Sequence, residues 1–158
     1  MATYKEINKF VRKKGNESKR ILSTNLKKLG KVSSGQTLNS LEVRFFTTAS
    51  NFGFRLLASP VIDFIDQGRK PGGKMPPPGS MIEWIKRKGL TGINAKGKPI
   101  PITSLEYVMR RSIAIKGIPA TNILSKTFDP FTKDIDDNLE TFFKKDIESD
   151  FQDNLKKI

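Results

Sequence analysis

The chain predicts an α+β fold: N-terminal helices, a small antiparallel β-sheet, a Pro/Gly-rich arm and C-terminal helices. Three observations predict it. Apolar residues recur at helical spacing near both ends, and two Val/Phe/Thr-rich runs flank a polar turn between them. Residues 68–79 hold four Gly and four Pro in twelve positions, which denies both a helix interior and a central strand. A length of 158 residues suits one domain, 1–158, with a modest core.

The helical N-terminal region covers 1–30. Thr3 and Glu6 have capping-box spacing, and Tyr4, Ile7, Phe10 and Val11 form an apolar face up to Gly15, an expected stop. A second helix from Asn16 carries Ile21, Leu22, Leu26 and Leu29 to Gly30, and Lys31–Gln36 reads as a loop. The sheet is expected within 41–66, as a hairpin of Leu41–Thr48 and Phe52–Ala58 across Ala49-Ser-Asn51. After Pro60, Val61–Ile65 reads equally as a short strand or as the first turns of a helix, since periodicity cannot decide at that length.

The arm, 68–79, is stiffened by its Pro run. Helices and loops fill 80–128. Ser80 with Glu83 and Thr103 with Glu106 repeat the capping-box spacing and open helices towards Gly89 and Gly117, with Ile118–Leu124 irregular after them. Asp129-Pro130 is an N-cap and N1 pair for a C-terminal amphipathic helix, 129–158, striped by Ile135, Leu139, Phe142, Phe143, Ile147, Phe151 and Leu155.

Composition narrows the function. The chain has no His and no Cys. This removes the commonest general base, the usual zinc ligands, disulfides and imidazole triads, and points to synthesis in a reducing cytosol. The opening MATYKEINKFVRKKG has no apolar h-region, so no secretory signal is expected, and no apolar run is long enough for a membrane span. Residues 68–79 match no phosphate-loop pattern, so no cofactor and no metal are expected. Asp63 and Asp66 lie three apart but read as ordinary surface acids; a His-free enzyme built on them is the weakest of three readings.

Charge is unevenly placed. Residues 1–128 carry 24 Lys/Arg against 7 Asp/Glu, a surplus of 17 positive charges, whereas 129–158 carry 5 against 9, a surplus of four negative ones. A basic body with an acidic tail fits polyanion contact or head-to-tail pairing of subunits. Candidate DNA-facing residues are Lys86, Arg87, Lys88, Arg110 and Arg111. Lys outnumbers Arg 21 to 8, which disfavours base-specific readout. Trp84, the sole Trp, is either packed beneath the Pro-rich arm or an interface anchor.

Several segments resemble the neck, head–tail connector and tail-completion proteins of tailed bacteriophages. Ser34-Gly-Gln-Thr-Leu-Asn-Ser40 is similar to the S/T-G-x-L-x-x-S segment that precedes their sheet, with one extra residue. Val61-Ile-Asp-Phe-Ile-Asp-Gln-Gly68 resembles their Y-a-x-Y/F-I/V-D/E-x-G stretch, with Val61 in place of the usual aromatic. Gly68-Arg-Lys-Pro-Gly72, Met75-Pro-Pro77 and Ile82-Glu-Trp-Ile-Lys-Arg-Lys-Gly89 follow in the order found in related virion proteins, and Ile118–Leu124 stands where they often have G-I/T-x-x-x-x-F/L before a last helix.

The resemblance implies a non-enzymatic virion structural protein, made in the bacterial host cytoplasm and located in the neck or tail. It would form a closed homo-oligomeric ring, sixfold or twelvefold. Its neighbours would be portal, adaptor or tail subunits, with non-specific DNA contact in the lumen and none with membrane. Candidate interface residues are Arg69, Pro71, Met75, Pro76 and Pro77 of the arm, then Trp84, and Phe142, Phe143 and Phe151 of the last helix. The arm would be a pre-stiffened strap that loses little entropy on docking. The alternative is a basic nucleic-acid-binding protein of a mobile element, with steeply salt-dependent DNA affinity.

Overall fold

The computed structural model describes residues 4–48 and 52–156, so Thr3 and the turn Ala49–Asn51 lie outside it. Within these residues the chain is α+β, with six helices and one two-stranded antiparallel sheet. In order they are α1 (Lys5–Lys28), α2 (Gln36–Asn39), β1 (Glu42–Thr47), β2 (Phe52–Leu57), α3 (Val61–Gln67), α4 (Ile82–Arg87), α5 (Ile102–Lys116) and α6 (Ile123–Leu155).

The two expected N-terminal helices are one. α1 runs through Gly15, burying Ile7, Phe10, Gly15, Ser18, Leu22 and Leu26 along a single face. Gly15 is there for the hairpin rather than as a stop. A Cβ on it would stand 2.7 Å from the Phe45 ring and 3.0 Å from Val43. Glycine inside a helix costs about 1 kcal/mol, and this one lets β1 lie directly on the helix.

The hairpin pairs Glu42 with Leu57 through to Thr47 with Phe52. Its inner face sets Phe45 against Phe54, and Phe54 edge-on to Phe131 of α6. The sheet ends at Leu57, short of the expected limit at 66. Val61–Gln67 is helical because that winding turns Ile62 into the core, half-buries Ile65 and Asp66, and leaves Val61 and Phe64 outside.

α6 lies antiparallel along α1. From one end to the other, Asn25 Nδ2 donates to Thr127 Oγ1 (2.8 Å), Lys14 pairs with Asp134, and Phe10 stacks on Phe142 at 4.5 Å. Where α1 begins, the Glu6 and Ile7 amides both donate to Asp146, at 2.9 Å each. The main core, Leu22, Leu26, Leu41, Ile62 and Ile123, closes the other end.

α6 starts six residues before the expected Asp129-Pro130 cap, and Pro130 sits inside it. The cap comes from a distance. Asp66 Oδ1 accepts the Leu124 amide at 2.8 Å, its carbonyl accepts the Thr121 and Asn122 amides, and Asn122 turns the chain at φ 50°. Pro130 removes one helix bond and crowds the preceding turn, a cost of about 3 kcal/mol. Burial of Ile123, Thr127 and Phe131 offsets it, and Lys126, whose carbonyl loses that bond, is an exposed residue.

The capping boxes expected at Ser80 and Thr103 do not form. Ser80 Oγ donates to the Pro77 carbonyl, while α5 begins at Ile102 behind Pro101. Glu106, the supposed partner of Thr103, is buried and accepts the Met81 amide at the start of α4 (3.3 Å). Three helix starts are thus met by carboxylates from distant elements, where the positive end of each helix favours them.

Candidate functional site

The arm is fastened to its own chain. Arg69 and Ile118 exchange backbone hydrogen bonds at 2.8 Å, and the Gly72 amide donates to the Ala114 carbonyl at 2.8 Å. Gly68 and Gly117 flank this bridge at positive φ, and a Cβ on either would stand within 2.4 Å of a facing carbonyl oxygen, at 2.3 and 2.1 Å. Arg110 is buried and its Nε donates to the Pro76 carbonyl at 2.6 Å; the Arg69 guanidinium donates to the Lys74 carbonyl. Pro71 and Pro77 remain exposed, Met75 is just on the exposed side, and Pro76 is half-buried.

Trp84 lies on α4, beyond the end of the arm. It is half-buried in the wall of a groove of about 690 Å³ that runs between α3, α4, α5 and the loop after α1. Phe64, Met81, Met109, Ile113 and Ile118 supply apolar surface, and Ser34–Thr37 form one rim. Lys31 and Lys88 are its charged residues, and no Asp or Glu lines it. Two side chains fix the rim to α4: Lys88 Nζ donates to the Val32 and Gly30 carbonyls (3.0 and 3.3 Å), and Arg87 Nε to Ser33 Oγ (3.1 Å).

A second apolar surface lies on α6. Leu139, Phe143, Ile147, Phe151 and Leu155 follow one another every four residues, and all five are exposed. Phe142 faces inward on Phe10, whereas Phe143 stacks on Tyr4 at 6.3 Å at the edge of the packed region. Beyond Asp146, α6 continues for about 14 Å past the start of α1.

The candidate DNA-facing cations do not form one free patch. Lys86 pairs with Glu83 at 2.9 Å, holding that carboxyl below its ordinary range. Arg87 and Lys88 serve the rim and Arg110 is buried, so Arg110 is not a surface cation; Arg111 is exposed. Asp66 is engaged as the α6 cap and Asp63 is exposed. Among the described residues no three Asp or Glu side chains converge to hold a metal ion.

Three surface residues stand outside the sequence candidates: Phe64, which is 74% exposed at the groove, and Ile147 and Leu155 on α6. The four-residue spacing of the α6 row was visible in the sequence. Phe64 was not, because its exposure depends on α3 being a helix. No protein-family model, no curated protein and no solved structure matches this chain.

Proposed function

We propose that this chain is a structural subunit that assembles with copies of itself into a closed ring at the neck, head–tail junction or tail end of a tailed-phage particle. One observation carries the reading: two uncovered apolar surfaces, the groove at Trp84 and the row on α6, lie at opposite ends of α1. Rings need heterologous interfaces, in which one patch meets a different patch on the next copy. The resemblance to phage neck and tail proteins supports it too, since residues of 34–40, 61–68, 82–89 and 118–124 line the same groove. A chain without His or Cys suits an assembly role better than catalysis.

Native mass spectrometry and electron microscopy of the purified chain test the assembly, and peptide mass spectrometry of purified particles tests the location. Discrete rings and a fixed copy number per virion are expected. A chain that stays monomeric and is absent from particles would overturn the reading. Sub-micromolar, steeply salt-dependent DNA binding by that monomer would favour a nucleic-acid-binding role instead.

A further inference from the structure

We propose that the overhanging end of α6 from one copy, led by Ile147, Phe151 and Leu155, seats in the groove formed by Phe64, Trp84 and Ile113 of the next. The inference rests on the self-assembly reading and names its interface. Geometry makes the contact intermolecular. α1 has 24 residues, about 36 Å at 1.5 Å per residue. The groove opens beside Leu29–Lys31 at its C-terminal end, and the overhang begins at Asp146 beside Glu6 at its N-terminal end. Because α6 is one helix lying antiparallel to α1, its last turns cannot fold back to their own groove.

Charge selects the same partner. With Asp146 engaged at its own α1, residues 147–155 still contain three acids (Glu148, Asp150 and Asp153) and no Lys or Arg ahead of Lys156-Lys157, whereas the groove lining contains Lys31 and Lys88 and no acid. Two copies of the α6 end would repel each other, and so would two grooves. One of each attracts, which favours a head-to-tail contact over a twofold one. An amphipathic helix laying apolar side chains from successive turns into a groove is a recurrent docking mode. Trp84, half-buried in the groove wall, has the character of an interface anchor.

Two charge-introducing variants at exposed positions test the pairing without disturbing the fold: Phe64→Glu in the groove (74% exposed) and Phe151→Glu on the helix (64% exposed). Each alone is expected to weaken self-association by about thirtyfold or more. Mixed in equal amounts, they should form a dimer and nothing larger, since one supplies an intact helix end and the other an intact groove. Native mass spectrometry reads all three samples, and the unmixed variants should keep the wild-type circular-dichroism spectrum and a single cooperative unfolding transition, melting lower only by the stabilisation that assembly supplies. Variants that assemble as wild type does, or a mixture that stays monomeric, would overturn the pairing. Rings that persist in both variants would reject the pairing while leaving ring assembly standing. The expected mixed dimer, from a chain missing from virions, would support the pairing and reject the phage assignment.

Discussion

The α1–α6 body and the segment 68–118 are held together by different forces. The body buries Ile7, Phe10, Leu22, Leu26, Leu41, Ile62, Ile123 and Phe131. Between 68 and 118, Ile85 is the one buried apolar side chain, and the segment is tied by polar contacts: Arg110 to Pro76, Glu106 to Met81, and the backbone bridge from Arg69 to Ile118. That same segment exposes Ile93, Tyr107, Val108 and Ile115. Burial is non-directional and gives the body its stability. Directional bonds fix the position of α4 and α5, and leave their apolar surface exposed.

The largest expected effect comes from Leu26→Ala, fully buried in the main core. It should lower the global unfolding free energy by about 3–4 kcal/mol, seen as a matching shift of the urea midpoint. Its counterpart is Arg110→Ala, which removes a charged donor from the Pro76 carbonyl. A loss of about 2–3 kcal/mol is expected, confined to 68–118. Hydrogen exchange should show amides there losing protection while those of α1 and β1 keep theirs. Uniform loss across the chain would break the distinction between the two regions.

A smaller effect sharpens the account of the helix ends. Asp146→Ala should cost about 1–2 kcal/mol by freeing the Glu6 and Ile7 amides. Faster exchange should appear in the first turns of α1 and in α6 around 142–150, with 68–118 unaffected.

The smallest effect is a pH dependence belonging to the body alone. The hydrogen bond from Lys14 to Asp134 holds the ammonium above the ordinary lysine value of 10.5, assisted by Glu17 at 3.1 Å and opposed by burial. A group raised in the folded state stabilises fully below its unfolded value, and that contribution is lost as pH rises through the folded value. Urea melts above pH 10.5 should show this decline in the wild type, and Lys14→Met should lack it.

The sequence was legible where its signals are local. The hairpin follows from the Val/Phe runs about 49–51, and the α6 row from its spacing. Legibility failed where a distant residue overrides a local one. Gly15 reads as a stop, yet Phe45 of the hairpin explains it. Asp129-Pro130 reads as a helix start, yet Asp66 begins α6 earlier from 58 residues away. Capping boxes at Ser80 and Thr103 looked self-contained, but Glu106 turned inward to serve a different helix. Within the candidate site, Trp84 could be picked from sequence by its rarity. The groove could not, because it gathers short pieces of four segments that share no pattern.

The arm shows the same lesson from the other side. Its composition declared an irregular, stiff segment, and the structure has one. What composition could not tell is that Ala114 of α5 and Ile118 just after it receive the arm, while Trp84 of α4 lines the groove.

Because the chain has no Cys, the central claim can be tested by placing single thiols where the two surfaces should meet. Phe64→Cys and Phe151→Cys proteins are mixed under mild oxidation and their disulfide-linked products are mapped by mass spectrometry. The account predicts a cross-link joining position 64 of one copy to position 151 of another, formed much faster in the mixture than in either protein alone. No mixed cross-link, or preferential linkage of like positions, would contradict it.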